Sequence, residues 1–157
     1  MKAKTMNPQQ AEILRDIIHR MTARYMTVRP LGIDLGNNRK LITALNCRLL
    51  DYGAARTLYQ QRRPVCRSLD AVKAIADDDK FCQQCLDRDH CTGQVRLDLL
   101  FENRPYRLLL AYTSAKNFLL YTGKLAEKKI EIQTIDTKIV VVNRGSWAEL
   151  QFCLVDL

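Results

Sequence analysis

Four cysteines, Cys66, Cys82, Cys85 and Cys91, fall within one short stretch of a 157-residue chain. Cys82 and Cys85 form a C-x2-C step, a tight turn that lets two thiolates address one ion. Cys66 and Cys91 supply the two further donors of a tetrahedral Zn2+ shell. The pattern is not a pair of C-x2-C steps, because Cys66 stands alone and five residues separate Cys85 from Cys91. His90 lies beside Cys91, but adjacent residues seldom both ligate one ion, so the thiol is the preferred donor. Phe81 is placed to shield the metal, and Gly93 permits a turn after the last ligand. Cys47 and Cys153 sit in apolar stretches and read as core residues.

The chemistry that would make such a zinc catalytic is poorly supplied. A catalytic zinc keeps an open coordination position with an acid or base beside it, and the chain has only His19 and His90. HExxH, the deaminase H-x-E with P-C-x-x-C, a phosphate-binding glycine loop and G-x-S-x-G are all missing from the sequence. The carboxylates are scattered, and a redox role for Cys82 and Cys85 would want a thioredoxin-like βαβ setting. The cysteines therefore read as a structural clasp, and the chain as a binding protein rather than an enzyme.

Charge indicates what would be bound. Twenty-five Lys and Arg stand against seventeen Asp and Glu, for a net charge of +8, which favours a polyanionic partner. Single-stranded nucleic acid is held by a cationic groove along its phosphates and by rings on which bases stack. Arg56, Arg62, Arg63 and Arg67 flank the first cysteine, Arg96, Arg104 and Arg107 decorate a later hairpin, and Lys116 follows. Tyr59, Tyr106 and Tyr112 are the candidate stacking rings. No stretch approaches the roughly 20 apolar residues of a membrane span. The N-terminus, MKAKTMNPQQ, lacks an apolar signal region, so a reducing cytoplasm is expected, where disulfides are rare.

The elements that must position these residues follow from periodicity. Asn7-Pro8 reads as a helix start, and Ile13, Leu14, Ile17, Ile18 and Met21 give one apolar face. This predicts an amphipathic helix from about Pro8 to Tyr25 within an N-terminal unit of residues 1–28, a possible surface for a protein partner. Residues 29–157 form the second unit, with the zinc loop at 64–93 and Asp77 to Asp79 solvated. Leu41 to Leu50 suits a strand. Gln94 to Phe101 and Tyr106 to Tyr112 flank a turn at Glu102 to Pro105 as a hairpin. Thr113 or Ser114 caps a helix to about Lys128, and residues 131–142 and 147–155 form a last hairpin. The class is α+β, mainly β, and the order suits a small OB-like barrel with a helix before its fourth strand. The zinc loop is then inserted between the first and second barrel strands.

Pro64 to Asp70 (PVCRSLD), the C-x2-C pair, Cys91 and Tyr112 to Lys116 (YTSAK) resemble motifs of small proteins of phages and mobile elements. Over roughly residues 60–155 the plan is similar to phage-type zinc-containing single-stranded-DNA-binding proteins. That resemblance implies an OB-fold core with a structural zinc subdomain and single-stranded DNA as partner. A protein-interaction module, an inhibitor or accessory subunit of a replication or defence complex, is the alternative. A zinc-ribbon transcription factor would need a recognition helix after the knuckle, and none is apparent in the sequence.

Overall fold

The structure, a computed structural model, describes residues 7–10, 12–13, 24–36, 40–75 and 80–155. Its strands are β1 (Arg24–Arg29), β2 (Gly32–Asp34), β3 (Ala44–Gln60), β4 (Arg63–Ser68), β5 (Thr92–Phe101), β6 (Arg104–Leu110), β7 (Asp136–Asn143) and β8 (Ala148–Leu154). A helix of sixteen residues, α1 (Tyr112–Glu127), joins β6 to β7. The fold is mainly β, as the periodicity predicts. Among the described residues no helix is long and apolar enough to cross a membrane.

The strands make one sheet in the order β2-β1-β6-β5-β3-β7-β8, with β4 added to β3. The expected barrel is not closed. Its five strands would need β6 to meet β8, but β1 occupies the free edge of β6, in parallel register from Arg24 opposite Tyr106 to Met26 opposite Leu108. Arg24 and Tyr25 are therefore strand, which corrects the expectation of a helix through Tyr25 and of a helical unit reaching residue 28. Alternating Tyr25, Thr27 and Arg29 suit a pleated edge better than a helical stripe. Residues 8–10 and 12–13 are helical, started by the Asn7 side chain, whose Oδ1 accepts from Gln9 N at 3.0 Å. The rest of the predicted N-terminal helix, residues 14–23, lies outside the described residues, as do Asp77 to Asp79.

The long strand β3 organises everything else. Its first third pairs with β7, its last third with β4, and β5 runs along most of its other edge. The sequence suggests only 41–50, because Gly53, Ala54 and Ala55 interrupt the apolar run; pairing with β5, which sets Arg96, Val95 and Gln94 opposite them, sustains the strand through them. A register shift between Leu49 and Asp51 lets β3 bend there. The β3–β4 turn places Gln61 and Arg62 at φ 50° and 64°, as Glu102 and Asn103 are placed at φ 49° and 60° in the β5–β6 turn. Both are two-residue left-handed turns. Gln-Arg carries no asparagine or glycine to announce one, so this hairpin was invisible in the sequence.

On the core face Leu45, Cys47 and Leu49 of β3 meet Leu97, Leu99, Leu108, Leu110, Ile139 and Leu150. Phe118, Tyr121 and Leu125 of α1, at helical spacing, close over them. Phe118 packs edge-on against Tyr52 and Phe152, ring centres 5.2 Å away in both cases. Burying each such side chain contributes about 1.5–3 kcal/mol. Residue Ala111, without a side-chain cap, starts the helix. Ser114, one of the two expected caps, instead accepts a hydrogen bond from Leu150 N at 2.9 Å, docking α1 on β8. Burial pushes the Cys47 thiol up to about 12, consistent with its expected core place. Cys153 is exposed, against expectation, since β8 alternates and Phe152 takes the inward position.

Candidate functional site

The cysteine loop is built by short-range hydrogen bonds. Asp70 turns the chain after β4, its Oδ1 accepting from Val72 N at 2.8 Å, Lys73 N at 2.9 Å and Ser68 Oγ at 3.0 Å. The Lys73 and Val72 amides hold its carboxyl below the ordinary value. Ile75 N donates to Arg67 O at 2.8 Å and Cys82 N to Val72 O at 2.7 Å, so the loop folds back on itself. Two single 3-10 turns follow, at Cys82–Gln84 and Arg88–His90. Cys85 N donates to Cys82 O at 3.3 Å and Cys91 N to Arg88 O at 3.2 Å. The third and fourth thiols, Cys85 and Cys91, thus sit just past the ends of tight turns.

These turns and β4 bring all four predicted ligands to one place. Cys66, Cys82, Cys85 and Cys91 line a pocket of about 20 Å³, room for one water-sized or ion-sized guest. Arg56, Lys80 and Arg88 line it too. The Cys91 thiol is pushed up, first by burial and then by Cys85, Cys66 and Cys82, while Arg56 opposes the shift. All six cysteines are free. Neither His90 nor Phe81 lines the pocket. Phe81 is capped instead by Lys73, whose Nζ lies 5.2 Å from the ring centre, so the expected shield is displaced. Among the described residues no group of three or more His, Cys, Asp or Glu is so placed that it could hold a metal ion. The donor chemistry nevertheless fits zinc: four soft thiols around an ion-sized space, with three cations to offset a doubly negative tetrathiolate.

The predicted nucleic-acid residues separate into three sets. Arg96 and Arg107 belong to a buried ladder. Arg96 Nη2 pairs with Asp51 Oδ2 at 2.9 Å, and Arg107 Nε with Asp98 Oδ1 at 2.7 Å. Arg96 Nε and Asp98 Oδ2 are 3.4 Å apart, charge-paired but without hydrogen-bond alignment. Burial works against the Arg107 charge, yet Asp98 and Tyr25 hold it above the ordinary value. These two arginines are spent on carboxylates. Tyr106 is 3% exposed and is a core ring, so it stacks on no base. Arg104 is exposed but starts β6 at the far end of the sheet from Tyr59, since β5 runs antiparallel to β3.

The third set converges. The β3–β4 hairpin presents Tyr59, 41% exposed, with exposed Arg62 and Arg63 in its turn. Arg67 follows on β4, opposite Thr57, while Cys66 is opposite Leu58. Alternation therefore sends Cys66 to the cysteine pocket and Arg67 to the other face. There Arg67 lies over the Tyr25 ring, 4.9 Å from its centre, and borders a cavity of about 260 Å³ with Tyr25, Tyr59, Gln94 and the start of α1 at Ala111 and Ser114. Among the described residues no acidic side chain lines this groove. Thr57 Oγ donates to Gln94 Oε1 at 2.7 Å, and Gln94 Nε2 lies 3.5 Å from the Tyr59 hydroxyl. Tyr112, 81% exposed, opens α1 beside Ala111, with exposed Lys116 one turn on. Arg56 is drawn away to the cysteine pocket. Tyr25 and Gln94 were missed in the sequence; Tyr25 was absorbed into the expected helix, though the alternation of Tyr25, Thr27 and Arg29 marked a strand.

Comparison with known proteins finds no matching family model, no matching curated protein and no matching solved structure.

Proposed function

We propose that this protein binds single-stranded nucleic acid, DNA in the first place, without catalysis, and that a structural Zn2+ held by Cys66, Cys82, Cys85 and Cys91 clasps its loop. The observation that carries this reading is the groove beside Arg67: exposed Tyr59, with Arg62 and Arg63 in the adjoining turn, beside a cavity that, among the described residues, no carboxylate lines. Cations without acidic partners remain available to phosphates, and exposed rings supply stacking faces with little base selectivity. The zinc would supply no chemistry. It would fix the loop between β4 and β5, and Arg56, Lys80 and Arg88 would offset the charge of its thiolates.

The finer fold reading belongs with this proposal. The strands β3, β5 and β6, then α1, then β7 and β8, follow the order of an OB-type barrel left open between β6 and β8. Kinship with zinc-containing single-strand binders of phages and mobile elements, and work in a reducing cytoplasm where the thiols stay unpaired, complete the proposal. Fluorescence anisotropy with single- and double-stranded oligonucleotides, with zinc analysis on the same sample, tests it. Salt-sensitive binding that prefers single strands supports the reading; no binding at low salt overturns it.

A second reading rests on a different surface. Leu119 and Leu120 stand exposed side by side on α1, which suits a protein partner in a replication or defence complex. Co-purification of one partner that survives nuclease treatment and is lost on Leu119→Asp would favour it.

A further inference from the structure

We infer that the groove beside Arg67 is a subsite for one unpaired base that carries a ring carbonyl, thymine or uracil in preference to adenine. This rests on the single-strand reading and names what that site recognises.

The argument is an inventory of donors and acceptors. The Arg67 guanidinium is held over the Tyr25 ring, and its Nε is buried with no hydrogen-bond partner among the described residues. Arg67 borders the groove, and an arginine side chain carries N–H donors and no acceptor. Gln94 has spent its carbonyl oxygen on the Thr57 hydroxyl, 2.7 Å away. Its amide nitrogen has only the long 3.5 Å contact with Tyr59. Arg67 and Gln94 therefore offer N–H groups at this spot, beside the hydroxyls of Tyr25, Thr27, Tyr59 and Ser114, and among the described residues no carboxylate lines the groove. Thymine and uracil present two carbonyl oxygens to such donors, whereas adenine has no carbonyl, and its N1 and N7 acceptors each lie beside the exocyclic amine, whose usual Gln partner oxygen is here spent on Thr57. Tyr59 offers a ring for the base to stack on, and Met26 and Leu109 supply apolar wall.

The experiment compares labelled oligothymidylate and oligoadenylate of equal length by fluorescence anisotropy, on the intact protein at low salt. Wild type is expected to bind oligothymidylate about tenfold more tightly, the lower part of the range for a good base-edge contact. Gln94→Glu keeps an oxygen to accept from Thr57 but replaces the donor with an acceptor. It is expected to weaken both oligonucleotides through its charge and to reverse the preference toward oligoadenylate. Equal affinity of wild type for the two, or an unchanged ratio in a folded Gln94→Glu protein, overturns the subsite while leaving single-strand binding intact. No binding of either oligonucleotide by wild type overturns both the subsite and the reading beneath it.

Discussion

Two regions of this sheet use arginine in opposite ways. In the middle, Arg96 and Arg107 are enclosed with Asp51 and Asp98 in a ladder of ion pairs across β3, β5 and β6. At the β3–β4 end, Arg62 and Arg63 stand exposed in a turn, and Arg67 faces a tyrosine ring rather than a carboxylate. The two groups are indistinguishable by residue type, and both lie near tyrosines in the sequence. What separates them is whether the pleat sets a carboxylate opposite. An ion pair enclosed in the sheet has no charge left for a phosphate, so net charge overstates the surface offered to a polyanion.

The largest effect is expected where the β3–β4 end is tied down. Cys82→Ser combined with Cys85→Ser removes two of four donors and should abolish zinc uptake. Structural zinc sites in small peptides are worth on the order of 10 kcal/mol, so the loop should unfold at a much lower temperature in calorimetry. A double variant with wild-type thermal stability would refute the clasp. Because Cys66 and Arg67 are neighbours on β4, the same variant should also bind oligonucleotides more weakly, although neither cysteine faces the groove.

Breaking the ladder should act on stability. Asp98→Ala leaves Arg96 and Arg107 enclosed without their shared carboxylate, at a cost of about 3–5 kcal/mol, read from urea unfolding. Tyr59→Ala should do the reverse, with little change in unfolding and a loss of about 1–3 kcal/mol in single-strand affinity if one base stacks there.

The smallest effect concerns Asp70. Its carboxyl is held below the ordinary value of 3.8, chiefly by the Lys73 and Val72 amides. A depressed carboxylate stabilises above its unfolded pKa, and that contribution is lost as pH falls through the folded value. Asp70→Ala should therefore cost about 1 kcal/mol at neutral pH, the usual worth of such hydrogen bonds. In acid, wild type and variant should converge.

The cysteine pocket was legible in the sequence because its information is local: thiol spacing and two short turns bring Cys66, Cys82, Cys85 and Cys91 to one pocket. The two later hairpins and α1 were legible for the same reason, their alternation and helical spacing being continuous. The fate of each arginine was not, because it depends on cross-strand neighbours tens of residues away, as with Arg96 and Asp51. The long β3 hid behind its small residues, and β1 was absorbed into a helix because its parallel pairing with β6 has no local signature. That pairing is also why the sheet stays open at β6, which no pattern within β3 to β8 could announce.

The central claim is that the β3–β4 end, and not basic surface in general, meets the nucleic acid. Arg62→Ala with Arg63→Ala, and Arg104→Ala as an exposed cation at the other end, should be compared with wild type by salt titration of oligothymidylate binding. Each phosphate contact on a single strand contributes about 0.7 to the slope of log affinity against log salt. The account predicts a slope shallower by about 1.4 for the Arg62, Arg63 pair and the wild-type slope for Arg104→Ala. Equal slopes in all three proteins would contradict it.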